Sequence, residues 1–181
     1  MSAIKQLGLL GLLFLLLSSS CQKEKRVRIF ELAYQNLEFD IPAGFNGSQA
    51  LIFEFPELKT NFESFLNQSG ADPATVGGIF PLNARITSFD GTEYYYIQEV
   101  EIRVCPSIQA DCTAQIDGVF YIEELNGRAD DDIDLQPGLQ NVKDLMSGEY
   151  FRVEVVLFLD FGQITPFDQP SRLDMTFEVT E

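Results

Sequence analysis

The 181-residue sequence contains no histidine and no tryptophan. Without imidazole, the chain cannot form Ser–His or Cys–His nucleophile pairs, use a histidine general base, or bind zinc or iron through histidine. Basic residues are also scarce: 12 Lys and Arg stand against 28 Asp and Glu, which gives a formal net charge of −16. Because nucleic-acid binding needs cations that neutralise phosphates, we expect no nucleic-acid partner.

The longest uncharged apolar run lies between Leu7 and Leu17 and ends shortly before a cysteine. It spans 11 residues, whereas a membrane-spanning helix needs about 20. Lys5 precedes the run, and the small residues at 18–20 follow it, which is typical of a cleaved signal sequence. An ordinary secretory signal gives no reason for a cysteine at position 21.

The segment Leu17-Ser18-Ser19-Ser20-Cys21 resembles a bacterial lipobox. It departs from the usual pattern because Ser18 stands where leucine is common, a departure that lipoproteins of the Bacteroidota tolerate. The resemblance implies that Cys21 is lipidated, becomes the mature N-terminus and anchors the protein in the outer membrane. Several acyl chains make such an anchor stable. The segment 22–25 resembles the charged export signal of surface lipoproteins, but both surface-facing and periplasm-facing attachment stay open.

The organisation that follows is a signal peptide at 1–20, a lipidated cysteine and tether at 21–26, and one domain at 27–181. Alternation of apolar and polar residues predicts many strands, and helical spacing predicts two short helices, near 60–70 and 139–148. Such short helices do not suit βαβ units, so we expect an antiparallel β-sandwich, Ig-like or jelly-roll in style. The predicted strands are 27–32, 37–41, 51–55, 82–89, 94–104, 119–125, 133–135, 150–161 and 172–180.

The clearest local pattern is a hairpin of 82–89 with 94–104, joined across Asp90-Gly91. In its second arm Tyr94 and Tyr96 share a parity with the apolar residues that follow, so both should point inward. Gln98 breaks this set, which indicates a bulge or a buried amide. Tyr95 is then the exposed ring and the candidate for stacking on a sugar.

Two further features could carry chemistry. Cys105 and Cys112 flank a tight loop in an exported protein, so we predict a disulfide; the spacing is not that of a redox-active C-x-x-C pair. The acidic loop offers hard oxygen ligands that suit calcium, although it does not match the EF-hand pattern and such charge runs are usually solvated loops. The calcium candidates are Asp130, Asp131, Asp132 and Asp134. We expect no other cofactor.

These patterns support two functional hypotheses. We favour a non-enzymatic, lipid-anchored module that binds or scaffolds, with another envelope protein or a glycan as its partner. The alternative is a small carbohydrate- or envelope-active hydrolase that uses paired carboxylates. Its candidate residues are Asp40, Glu54, Glu99, Glu101, Glu123 and Glu124, none of which lies in a specific motif.

Overall fold

The computed structural model describes residues 26–109, 111–113, 117–125 and 130–181. The predicted signal peptide, Cys21 and most of the tether lie outside these residues. In the described part of the chain, no helix has the length and hydropathy needed to cross a membrane. The elements are β1 (Arg28–Ile41), β2 (Leu51–Lys59), α1 (Phe62–Ser69), a 3-10 turn (Pro73–Thr75), β3 (Gly78–Ser88), β4 (Ile97–Pro106), β5 (Gly118–Ile122), β6 (Asp132–Pro137), α2 (Lys143–Met146), β7 (Tyr150–Leu159) and β8 (Gln169–Thr180).

The strands form two antiparallel sheets. Sheet I has the order β1-β8-β3-β6, sheet II has the order β5-β4-β7-β2, and a short β5–β6 pairing joins the two along one edge. Apart from β4 to β5, every connection crosses from one sheet to the other. The mainly β antiparallel sandwich is therefore confirmed, and its strand order is that of a jelly roll rather than an Ig-like sandwich.

The core lies between the facing sheets. On β8, Leu173, Met175 and Phe177 are buried and alternate with partly exposed residues, so one face of the strand points inward. The ring of Phe177 lies 5.4 Å from that of Phe120 on sheet II, measured between centroids. Aromatic contacts of this kind add about 0.5–1.5 kcal/mol to the burial of apolar area.

The predicted hairpin of 82–89 with 94–104 is wrong. β3 lies in sheet I and pairs with β6 and β8, whereas β4 lies in sheet II and pairs with β5 and β7. Asp90-Gly91 does form a turn, in which the Asp90 carboxylate accepts the amide of Thr92 at 3.0 Å. The chain then crosses between the sheets because Tyr94 and Tyr96 fill the interior instead of extending a strand.

Two predicted strand boundaries are also wrong. The segments 27–32 and 37–41 are one strand, β1, whose register shifts near Asn36. Asn36 adopts φ 58°, and its amide donates to the Asp174 carboxylate at 2.8 Å, which stabilises the bulge. β2 continues past Pro56, where we expected it to end. It tolerates proline because it is an edge strand and its register shifts there.

The bulge predicted at Gln98 is confirmed by a register shift between Ile97 and Glu99, but the Gln98 side chain is exposed and is not a buried amide. The shift also turns Ile97 inward, although Ile97 has the same parity as Tyr95, which was expected to be exposed. In α1, Thr60 and Glu63 have the sequence spacing of a capping box but do not form one. Asn61 is the N-cap and its side chain makes no capping hydrogen bond, whereas Gly70 ends the helix as predicted.

Candidate binding site at the distal loops

The strand register places four loops at one end of the sandwich. Three pairs of facing residues lie at the ends of their strands and bring these loops together: Ile41 with Gln169, Thr87 with Asp132, and Ile97 with Leu159. We call the described residues of these loops the distal loops, and their end of the sandwich the distal end. The proximal end is where β1 begins, and it also carries α1, α2 and the segment after β4. The distal loops span 42–50, 89–96, 123–131 and 160–168.

Hydrogen bonds tie three of the distal loops, and the end of a fourth, to one another. Because the bonds join backbone groups, they fix the loops whatever the neighbouring side chains are. The distal end is therefore one connected surface. The bonds run from Gly44 N to Thr165 O (2.8 Å), from Thr165 N to Phe45 O (2.9 Å), from Asp160 N to Tyr96 O (3.0 Å) and from Tyr94 N to Asp130 O (3.0 Å).

Two tyrosines support this surface from below. Tyr94 and Tyr96 are fully buried, as their parity predicted. The Tyr94 hydroxyl donates to Ser171 Oγ at 2.9 Å, and the Tyr96 hydroxyl donates to Gln169 Oε1 at 2.5 Å. Loss of hydration raises the pKa of Tyr94 to about 12 and raises the pKa of Tyr96 further above its ordinary value.

Because Tyr94 and Tyr96 are buried, we expect the free energy of unfolding to fall in alkali. Because their pKa is higher in the folded chain than in the unfolded chain, their contribution is complete below pH ~10 and is lost as the pH rises toward 12. Urea unfolding at successive pH values, followed by circular dichroism and tyrosinate absorbance, measures this fall. The Tyr94→Phe/Tyr96→Phe variant should show a shallower fall; an identical pH dependence would contradict the assignment.

Apolar side chains project from the distal loops. Phe161 has a relative exposure of 102%, Ile164 of 56% and Phe89 of 50%. Phe161 lies in a tight turn closed by the Gln163 amide, which donates to Asp160 O at 2.9 Å, with Gly162 at φ 77°. Gly162 supplies the positive φ that this turn requires. Since Phe161 buries nothing, the fold gains nothing from an aromatic ring at this position.

A cleft lies beside Phe161, between the β1–β2 and β7–β8 loops. Its volume is about 310 Å³, and its walls include Phe161, Ile164, Gly47 and Ser48. A backbone bridge between Asn46 and Ile164 forms its base. Gly47 allows the loops to approach each other, because a Cβ there would lie 3.0 Å from Leu159 Cβ. The cleft can accept one apolar side chain of a partner.

Tyr95, the candidate sugar-stacking ring, is exposed as predicted at 44%. It contacts the ring of Tyr96 edge to face, with 5.6 Å between centroids. One face of Tyr95 is thereby supported by a buried neighbour, which holds the ring in place at the distal end. No ligand is assigned to it by this geometry.

The distal loops carry charge of one sign. Their described residues include eight acids and no lysine or arginine. Loss of hydration and repulsion from Glu123 and Glu101 raise the pKa of the neighbouring Glu99. The distal end is therefore strongly anionic. The eight acids are Asp90, Glu93, Glu123, Glu124, Asp130, Asp131, Asp160 and Asp168.

The four calcium candidates do not form a close cluster of oxygens, although Asp130, Asp132 and Asp134 line one cleft. Asp132 and Asp134 both bind the guanidinium of Arg85, at 2.9 and 2.6 Å. Asp130 and Asp131 use their backbone oxygens to accept amides of the β3–β4 segment. Among the described residues, none of the four belongs to a group of three carboxylates whose oxygens lie within 4.8 Å of one another. Calcium binding here stays a prediction.

A buried ion cluster on the outer face of sheet II was not predicted. Glu154 is 2% exposed, and its Oε1 accepts from Arg152 Nε at 3.1 Å and from the Cys112 amide at 3.0 Å. Arg152 also binds Glu54 at 2.8 Å. Of these three charged residues, only Glu54 was singled out from the sequence, as a candidate for hydrolysis. The available signal was their position within the most apolar strand, close to a disulfide that folds a loop back over it.

That loop is closed by a disulfide between Cys105 and Cys112, whose Cα atoms are 5.6 Å apart. Since the loop is short, we expect reduction of the disulfide to lower the free energy of unfolding by about 2–3 kcal/mol. Thermal unfolding with and without dithiothreitol measures the loss. The Cys105→Ala/Cys112→Ala variant should melt like the reduced protein and should not respond to the reductant. A variant that melts like the oxidised protein would contradict this role.

Two of the six carboxylates considered for hydrolysis form ion pairs with arginine. Glu54 binds Arg152, and Glu101 binds Arg103 at 2.7 Å. Glu54, Glu154 and Asp111 do bring oxygens within 4.8 Å of one another. Because Arg152 bonds to Glu54 and to Glu154, the protein's own cation bridges two members of the cluster. Its geometry is that of a structural ion network.

The comparisons with known proteins assign no function. No protein-family model matches the chain. No curated protein matches it either. Among solved structures, the chain is similar to one from Desmodium yellow mottle tymovirus, at 13% identity, TM-score 0.29 and coverage of 91% of this chain and 95% of the other. A structure from turnip yellow mosaic virus matches at 8% identity, TM-score 0.31 and coverage of 84% and 94%.

Proposed function

We propose that the protein is a lipid-anchored lipoprotein of the outer membrane that acts as a non-enzymatic binding or scaffolding module through its distal end. The observation that carries this proposal is the placement of the distal loops relative to the N-terminus. β1 begins at the proximal end, directly after the tether, and runs 14 residues to the first distal loop. At 3.2–3.4 Å per residue, the two ends lie roughly 45 Å apart. Anchoring through Cys21 would therefore present the distal loops away from the lipid.

The charge of the protein supports the same arrangement. A net charge of −16 opposes contact between the domain and anionic lipid. Attachment would then depend on the acyl chains of Cys21, with 22–26 as a spacer. The aromatic and acidic distal loops stay available to a partner. The described carboxylates favour binding over hydrolysis, since the closest group, around Glu154, is held by Arg152.

The anchor is tested by substitution of Cys21. In the host, the Cys21→Ser protein should lose its lipid and move from the membrane fraction to the soluble fraction. The matched control is Cys112→Ser, the same substitution in the disulfide, which should stay in the membrane fraction. Immunoblotting of separated fractions measures both. Equal membrane retention of Cys21→Ser and the unchanged protein would overturn the lipid anchor.

A further inference from the structure

The distal loops combine exposed apolar side chains with charge of one sign. Resting on the proposed function, we propose that the distal end binds a cationic polypeptide segment. An apolar side chain of that segment enters the cleft beside Phe161, and its lysine or arginine side chains lie against carboxylates of the distal loops. The partner is thus another envelope protein with a basic, partly apolar surface.

The apolar half of the proposal rests on Phe161 and Ile164. Both are on one loop, both border the 310 Å³ cleft, and neither is needed for the core. Aromatic side chains that fill or border a pocket commonly dominate the energy of a protein interface. The backbone bonds between the loops hold the cleft open before a partner arrives, which lowers the entropic cost of binding.

The charged half of the proposal rests on the eight acids. Glu93, Asp131 and Glu123 are exposed, and the sequence of the four loops contains eight acids and one basic residue, Arg128. Like charges on one surface repel each other, so a cationic partner gains from complementarity and from electrostatic steering. A neutral glycan would use the aromatic rings but would gain nothing from this charge. The observations therefore favour a basic polypeptide.

The chain itself shows the type of contact that we propose. The Arg172 guanidinium carbon lies 5.7 Å from the centroid of the Phe89 ring at the edge of the distal end. A guanidinium over an aromatic ring, with carboxylates nearby, is favourable by about 0.5–2 kcal/mol. Phe161 and Tyr95 offer similar rings that are accessible to the cations of a partner.

The test uses the full chain in a non-ionic detergent and measures the fluorescence anisotropy of labelled peptides, with detergent alone as a blank. The probes are Lys-Lys-Phe-Lys-Lys, its charge-reversed form Glu-Glu-Phe-Glu-Glu, and Lys-Lys-Ser-Lys-Lys. We expect the first peptide to bind in a salt-dependent manner, the second not to bind, and the third to bind about tenfold more weakly.

Variants locate the site. Phe161→Ser should weaken binding of the first peptide about tenfold, as should Glu93→Gln/Asp131→Asn/Glu123→Gln. Two controls make equivalent changes at the proximal end and should leave binding unchanged: Leu139→Ser, which replaces an 88% exposed residue, and Glu57→Gln/Glu63→Gln/Glu149→Gln. Equal effects of the distal and proximal variants would overturn the proposal.

The outcomes also separate this proposal from the proposed function. Two outcomes would overturn the cationic partner and leave a distal binding module. In the first, the acidic peptide binds as tightly as the basic one. In the second, no peptide binds, but a neutral oligosaccharide does, and Phe161→Ser abolishes its binding. Retention of Cys21→Ser in the membrane would overturn the anchor while the peptide result stood.

Discussion

Replacing Phe177 with alanine is expected to lower the free energy of unfolding by about 3–5 kcal/mol. Phe177 is fully buried at the centre of β8. Its ring lies 5.4 Å from Phe120 and 6.1 Å from Tyr34, so it contacts residues of both sheets. Its removal leaves a cavity between the sheets that the neighbouring strands cannot close. For a domain of this size, the midpoint of thermal unfolding should fall by roughly 6–20 °C.

The matched control is Phe161→Ala. The residue type and the substitution are the same, but Phe161 is fully exposed at the distal end. Its removal should change the free energy of unfolding by no more than about 0.5 kcal/mol. Urea unfolding of both variants, followed by circular dichroism, gives the comparison. Similar losses for the two phenylalanines would contradict the placement of the core between the sheets.

The second large effect is expected at Arg152. Arg152→Ala would remove the arginine that is hydrogen-bonded to the buried carboxylate of Glu154 and would leave it with the Cys112 amide and Arg103 at 4.0 Å. Removing one partner of a buried ion pair costs about 3–5 kcal/mol. The exposed pair of Arg85 with Asp134 is the control, and Arg85→Ala should cost no more than about 1 kcal/mol.

A double variant distinguishes the buried charge from simple loss of packing. In Arg152→Leu/Glu154→Leu no buried charge loses its partner, because Glu54, the other partner of Arg152, is half exposed, so most of the stability lost in Arg152→Ala should return. Chemical unfolding of the three variants measures the difference. A double variant as unstable as Arg152→Ala would show that the side-chain volume, rather than the ion pair, is what sheet II requires.

Strand identity could be predicted where one face of a strand is buried and the other is not. β8 alternates without interruption from Leu173 to Val179, and a strand was predicted there, over 172–180. Its start was placed too late, because Gln169 and Ser171 are polar although they are buried. They are buried because they accept the hydroxyls of Tyr96 and Tyr94, which are distant in sequence.

Strand pairing was less predictable. The Asp90-Gly91 signal describes a local turn correctly, but it cannot specify that the chain then crosses to the other sheet. The partners of β3 and β4 are set by burial of Tyr94 and Tyr96 in the interior, a non-local effect. The same limit applies to Arg152 and Glu154, whose burial depends on a loop closed by Cys105 and Cys112.

The candidate site was predicted only in part. Tyr95 was correctly expected to be exposed. Phe161 was assigned to the preceding strand, but β7 ends at Leu159 and Phe161 lies in the turn made by Gly162. Because Phe161 is apolar and follows an apolar strand, it was included in that strand. The one fully exposed aromatic ring among the described residues was therefore missed. The glycine was the signal that could have ended the strand.

The most direct test of the central claim is photo-crosslinking in the native envelope. A photoreactive phenylalanine would replace Phe161 at the distal end in one protein and Leu139 at the proximal end in another, both with Cys21 intact. Because the two positions are similarly exposed, they differ mainly in location. If the distal end is the binding surface, a discrete polypeptide adduct should form at position 161 and none at position 139. An adduct at position 139 with none at position 161 would contradict this.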